Sequence, residues 1–175
     1  MGRKGTSQGT PATAVLTAAG VPFVLHPYTH DPSAASYGTE AAEALGIDPA
    51  RVFKTLMVEV EGRLAVGVVP VSGSLDLKAF AAALDAKKAT MADPKAAERR
   101  TGYVLGGISP LGQRQASLTV IDGSAVALET MLVSGGRRGL DIELAPADLI
   151  RLTSAITAPI GTVKAWEASF PPPTK

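Results

Sequence analysis

The stretch RVFKTLMVEVEGRLAVGVVP, residues 51–70, sets the fold. TLMVEV (55–60) and RLAVGVVP (63–70) are apolar, β-branched runs, and Glu61-Gly62 is the two-residue break between them. That pattern reads as a β-hairpin. Side chains alternate along a strand, so Lys54, Leu56, Val58 and Val60 share one face, the face a sheet would bury. A lysine on that face is unusual, because ammonium groups are rarely buried without a partner. Two readings of Lys54 stand. Its stem can lie along the sheet while the ammonium reaches water at the strand end, or it is a cation at the mouth of a pocket, placed to act as an electrophile or contact a phosphate.

Outward from the hairpin, helices and strands interleave. Thr10-Pro11 is an N-cap followed by proline in the first helical turn, with Val15, Leu16 and Ala19 as the apolar stripe and Gly20 as the stop. VPFVLHPY (21–28) reads as a strand running into a loop, and TEAAEALG (39–46) as a short helix ended by Gly46. LDLKAFAAALD (75–85) places Leu77, Phe80, Ala81 and Leu84 at helical spacing. KKATMA (87–92) is a strand, and Asp93-Pro94 starts a helix that ends near Gly102. Strands are expected near 118–121, 130–134 and 140–144, and a helix over APADLIRL (145–152). Several strands are joined by short turns, which favours an α+β fold. The expected architecture is a single domain with a curved, mixed and largely antiparallel, barrel-like sheet flanked by helices. The domain is expected over residues 10–160, with flexible tails at 1–9 and 161–175.

Composition narrows the function. The 175 residues are 46% hydrophobic and 19% charged, as in a folded globular domain, and the net charge of +1 gives no global attraction to nucleic acid. With no cysteine in the chain, disulfides, zinc–thiolate sites and an enzyme-supplied cysteine nucleophile are excluded. No apolar run approaches the ~18 residues of a membrane span, and MGRKGTSQGT has no apolar segment behind its basic residues. The expectation is a cytoplasmic protein that contacts no membrane.

Four constellations bear on chemistry. His26 and His30 have the spacing of a helical metal pair, but Pro27 breaks the helix and no further histidine or cysteine completes a site, so no metal is expected. GGRRGLD (135–141) is either a glycine turn with solvated Arg137 and Arg138, or a loop whose amides and arginines hold a phosphate or ribose. GGISPLG (106–112) offers consecutive glycines whose N–H groups can approach an oxyanion, or it is an ordinary loop. LDIEL (140–144) alternates, placing Asp141 and Glu143 together on one face, either solvated or with Asp141 orienting a substrate amine.

TPA (10–12), HPYTHDP (26–32), YGTEAAEALG (37–46), VFKTLMV (52–58), LDLKAFAAAL (75–84), MADPKAAERRTGYVLGGISPLGQ (91–113) and VSGGRRGLDIEL (133–144) together resemble the YbaK/EbsC-type Cys-tRNA(Pro) deacylases, relatives of the editing domain inserted in bacterial prolyl-tRNA synthetases. The resemblance spans about residues 10–155. It implies a small pocket that clears tRNA(Pro) mischarged with cysteine, a residue close to proline in size that a single pocket discriminates poorly. It implies no cofactor. The substrate's own thiol attacks its carbonyl, and the protein holds that geometry. By position, Lys54 corresponds to the family's essential lysine, holding the tRNA's terminal phosphate or ribose. Gly106 and Gly107 correspond to the loop whose amide faces the carbonyl oxygen. Tyr28 and Tyr37 fall at pocket aromatics, Tyr37 where some relatives carry phenylalanine, and Ser134 and Asp141 at polar positions near the amino acid. Arg137-Arg138, Lys87-Lys88 and Arg99-Arg100 are candidate tRNA contacts. The implied partners are aminoacyl-tRNA(Pro) and, transiently, prolyl-tRNA synthetase. Two alternatives remain: a deacylase for alanine or serine on tRNA, and a non-catalytic module that binds tRNA ends or a partner protein. A Schiff-base lysine enzyme is a distant third.

Overall fold

A computed structural model describes residues 9–34 and 36–163. In chain order its elements are α1 (Pro11–Ala19), β1 (Val24–Pro27), α2 (Tyr37–Leu45), β2 (Phe53–Val60), β3 (Arg63–Pro70), β4 (Gly73–Leu75), α3 (Leu77–Ala83), β5 (Ala89–Met91), α4 (Pro94–Thr101), β6 (Leu118–Asp122), β7 (Met131–Arg137), β8 (Leu140–Leu144), α5 (Pro146–Thr153), β9 (Ile156–Ala158) and β10 (Gly161–Val163). A short 3-10 turn, Gly123–Ala127, follows β6.

The hairpin forms as its sequence requires. Glu61 and Gly62 both take positive φ, 49° and 82°, the mirror-image turn that matches the twist of paired strands. β2 and β3 then pair antiparallel from Phe53↔Pro70 to Val60↔Arg63. They form the middle of a five-stranded sheet ordered β5-β2-β3-β6-β9, in which β3/β6 and β6/β9 run parallel. A three-stranded antiparallel sheet, β1-β8-β7, meets it at one corner through a parallel Val52↔Leu132 bridge. The expected curl toward a barrel does not close: among the described residues the sheets stay open, with β5 and β9 as edges.

β2 is buried on both faces, not one. Phe53 and Met57 enter a core with Leu16, Val66, Val68, Ile121, Ile142 and Leu149. Val58 and Val60 enter a second core with Ala65, Val69, Phe80, Val120 and Ile160. A strand covered on both sides reads as a continuous apolar run, which is why VFKTLMV shows little alternation. Phe80 of α3 is fully buried and lies over β3, where Gly67 leaves room: a Cβ on Gly67 would sit 3.1 Å from the Phe80 ring.

Short caps fix the helices that frame the site. Thr10 and Thr13 form a reciprocal capping box at α1, and Asp93 and Asp76 cap α4 and α3. Ser36 caps α2, so this helix begins at Tyr37, two residues before the expected start, and Tyr37 occupies its first turn. β4, β9 and β10 were not anticipated. β10 pairs with β4, so the fold extends past the expected boundary at 160, and Gly161–Val163 belong to a ribbon rather than to a tail. Residues 1–8 and 164–175 of the expected tails lie outside the described residues.

Phe80→Ala removes the largest side chain of the second core. It should cost about 3–5 kcal/mol in urea unfolding with an unchanged denaturant slope; a loss below about 1 kcal/mol would mean that α3 does not seal this face.

Candidate active site

Where the start of β2, the N-terminus of α2, the loop after α4 and the β7–β8 hairpin converge, they enclose a cavity of about 510 Å³. Tyr28, Tyr37, Lys54, Gly106, Ser134 and Asp141 line it, and Leu56, Met57, Met91, Ala97 and Ile108 form an apolar wall. Gly107, Arg137 and Arg138 stand behind the lining.

β8 sits between β7 and β1, and its Asp141 pairs with Ser134 on one side and His26 on the other. Asp141 is only 5% exposed. Among the described residues its carboxyl accepts no hydrogen bond and forms no ion pair. Burial therefore pushes its pKa up to about 7. Tyr28, also lining the cavity, is raised to about 12 by burial and then by the charge of Asp141. Glu143, two residues along the same face, differs. It takes hydrogen bonds from Thr130, from His26 at 2.7 Å and from Arg51 at 2.9 Å, and these hold its carboxyl below the ordinary range. The acidic face of LDIEL is thus not solvated: one carboxylate is saturated and the other is aimed at the cavity. His30 pairs separately with Glu40 at 2.9 Å, so the two histidines serve different carboxylates.

Lys54 is half-buried, and its ammonium donates to the Gly73 carbonyl at 2.9 Å. Opposite it, the loop after α4 is held by Tyr103, whose hydroxyl donates to Leu111 O at 2.7 Å, and by Glu98, which accepts the Leu105 N–H at 2.9 Å. Gly106 has φ +85°, and a Cβ there would lie 2.8 Å from the Tyr37 ring. Glycine is required on both counts. The Gly106 N–H has no acceptor among the described residues. The Gly107 N–H, by contrast, is donated to Val104 O at 2.9 Å, and a Gly107 Cβ would lie 2.7 Å from Arg137 Cα. The two glycines expected to share a role are therefore different: Gly106 faces the cavity and Gly107 lets the hairpin pack against the loop.

The hairpin arginines make specific contacts, although Arg138 is exposed. Arg138 stacks 4.9 Å over the Tyr37 ring while its Nε donates to Leu105 O at 2.8 Å. Arg137 donates to Arg138 O at 3.3 Å. A bulge at Gly135-Gly136 aims this hairpin, with the Gly136 N–H donating to Ser134 Oγ at 3.2 Å. The Arg99-Arg100 pair is split: Arg100 is spent on Ser117 Oγ, Gln115 Oε1 and Ala116 O, while Arg99 is exposed.

Sequence reading missed the apolar wall, whose residues come from four separate elements. It missed the Arg51–Glu143–His26 cluster, because Arg51 is far from β8 in the chain. It also missed Gly73, whose one local signal is a glycine between two serines.

This architecture is that of a known class. The chain belongs to the aminoacyl-tRNA editing domain family, whose sequence profile matches residues 31–152. Members of this class remove amino acids from tRNA. Among individual relatives, EbsC of Enterococcus faecalis, named as a candidate Cys-tRNA(Pro)/Cys-tRNA(Cys) deacylase, is 36% identical over 163 residues, covering 93% of this chain and 99% of that protein. YwhH of Bacillus subtilis is 27% identical over 128 residues, 73% of this chain and 81% of that protein. A solved structure described as a candidate trans-editing enzyme for prolyl-tRNA synthetase shares the fold with a TM-score of 0.75 at 21% identity, covering 87% of this chain and 95% of that one. The hypothetical protein APE2540 superposes with a TM-score of 0.78 at 23% identity, over 87% of this chain and 100% of that one. No helix among the described residues is long and apolar enough to cross a membrane.

Because folding raises the Asp141 pKa from 3.8 to about 7, the native state holds this proton more tightly than the unfolded chain. Stability from this group is complete below about pH 4 and is lost as pH rises through about 7. Asp141→Asn should remove that slope and make the substrate-free protein roughly 2–4 kcal/mol more stable than wild type at pH 8, with the gap narrowing toward pH 5. Denaturant titrations at the two pH values check this, and a variant less stable than wild type at pH 8 would contradict it.

Proposed function

We propose that the chain deacylates Cys-tRNA(Pro). The observation that carries the reading is the buried Asp141 carboxyl, without a hydrogen bond or ion pair among the described residues, in a small cavity that also holds Lys54 and Gly106. An aminoacyl ester brings an α-ammonium group, the ligand such a carboxyl lacks. Bringing the ammonium to Asp141 favours the ionised carboxylate and fixes one end of the amino acid. Lys54 takes the phosphate or ribose of the terminal nucleotide, and the Gly106 N–H faces the carbonyl oxygen where negative charge develops. Tyr28 and Ser134 line the polar end beside the amino acid. Arg138, held over Tyr37, and the neighbouring Arg137 meet the tRNA backbone.

The chain has no cysteine of its own, and the chemistry runs on the substrate thiol. Sulfur attacks the carbonyl carbon, the S–C bond forms as the ester C–O bond breaks, and the thiol proton goes to the departing ribose oxygen. The products are a cyclic thiolactone and free tRNA. The protein supplies orientation, charge stabilisation and exclusion of water, which together account for large rate effects without a protein nucleophile. The reading is supported by the 36% identity to EbsC along nearly the whole chain. It implies tRNA(Pro) as the carrier, prolyl-tRNA synthetase as a transient partner and the cytoplasm as the place of action.

The decisive assay is release of amino acid from Cys-, Ala- and Ser-charged tRNA(Pro), with and without prolyl-tRNA synthetase, by wild type and Lys54→Ala. Cysteine should be released and alanine and serine retained, because neither offers a thiol. Lys54→Ala should lose at least about tenfold in rate while still unfolding in one cooperative transition. Release of alanine or serine at the cysteine rate would assign a different deacylase. Intact charged tRNA in every lane would assign a binding module.

A further inference from the structure

The Lys54 ammonium is aimed by a carbonyl that the rest of the chain holds in place. That carbonyl belongs to Gly73, the first residue of β4, 2.9 Å from Lys54 Nζ. β4 pairs antiparallel with β10, and Val163 stands opposite Gly73. Gly73 is buried, and a Cβ on it would lie 1.9 Å from the backbone oxygen of Thr162. No flexible side chain stands there to swing aside, so only glycine lets β10 cross at this depth. β10 is tied down in turn. The Asp122 carboxylate, 7% exposed, accepts the N–H groups of Ile160 and Gly161 at 3.0 and 2.8 Å, and Ile160 O accepts the Asp76 N–H at 2.7 Å.

We propose that Gly73 is a positioning residue for editing: by letting β10 clamp β4, it fixes the carbonyl that orients Lys54 at the cavity. A lysine ammonium is a compact charge on a flexible four-carbon stem, so it needs an external constraint to reach the substrate already oriented. The β4–β10 ribbon supplies that constraint without lining the cavity. The inference rests on the reading of Lys54 as the cation for the tRNA end, and it adds that the chain beyond residue 160 is part of the editing machinery.

A double-mutant cycle on the full chain tests it, with Gly73→Ala and Lys54→Ala made singly and together and assayed on Cys-tRNA(Pro) under single-turnover conditions. Gly73→Ala should lower kcat/KM about tenfold in the Lys54 background and less than about twofold in the Lys54→Ala background. Thr162→Pro, which disturbs the ribbon from the other strand, serves as the second variant if Gly73→Ala does not fold, and should behave alike. Equal losses in both backgrounds, or wild-type activity in the ribbon variants, would overturn the proposal and leave the ribbon a structural brace. Full activity in Lys54→Ala would instead remove the functional reading. In that case the NMR resonances of the lysine side chains decide: Gly73→Ala should move Lys54 and leave Lys78 unchanged, and an unmoved Lys54 would overturn the proposal.

Discussion

Asp141 is a carboxyl buried at the edge of a cavity, with no hydrogen bond or ion pair among the described residues, and the site is arranged around that fact. Among the described residues, His26 and Arg51 both lie along this strand face and both go to Glu143. His26 is the cross-strand neighbour of Asp141, yet its Nε2 binds Glu143, and Arg51 binds Glu143 as well. Glu143 thereby satisfies the sheet's own electrostatics, and under the proposed function Asp141 is left for the substrate's ammonium. Burying a carboxyl without such a partner is unfavourable, and this raises its pKa to about 7. An incoming ammonium reverses the balance. The strand pairs on either side, β7 and β1, keep the group in place whether or not the cavity is filled.

The rest of the site is a packing solution around that carboxyl. Three segments remote in sequence meet at Tyr37, whose ring lies against Gly106 and beneath Arg138. A side chain at Gly106 would push the ring away and open the cavity roof. Gly107 allows the loop and the hairpin to touch backbone to backbone, and Gly136 leaves room for the Tyr103 and Thr10 side chains, so the arginines of the hairpin become oriented groups. Arg137 and Arg138 thus differ from Arg100, which looks equivalent in the sequence but is consumed in closing the loop after α4. What distinguishes these cations is the acceptor each one finds.

Much of the fold was legible because its signals are local. Thr10-Pro11, Asp93-Pro94, Glu61-Gly62 and Gly20 act within one turn of chain, and each produced the element expected of it. The strands β4, β9 and β10 were not legible, because each forms only against a partner remote in the chain. Parity along β2 misled in one respect, since it presumes a sheet with one dry face, and this strand has two. At the site, one cavity gathers Tyr28, Tyr37, Lys54, Gly106, Ser134 and Asp141. Their roles could not be separated by sequence, because Asp141 and Glu143 alternate identically until Arg51 and Thr130 are brought alongside. Gly106 and Gly107 are likewise indistinguishable until Val104 takes one amide.

The central claim is that Asp141 is a neutral-pH carboxyl awaiting an ammonium ligand, and its titration measures this directly. In protein labelled at aspartate carboxyl carbon, NMR should give Asp141 a pKa of about 7 in the free state. With a non-hydrolysable amide analogue of 3′-cysteinyl adenosine bound, the value should fall below about 5, as for a carboxylate facing a cation. A free-state value of about 4, the ordinary aspartate range, or a raised value that the analogue leaves unmoved, would contradict the account.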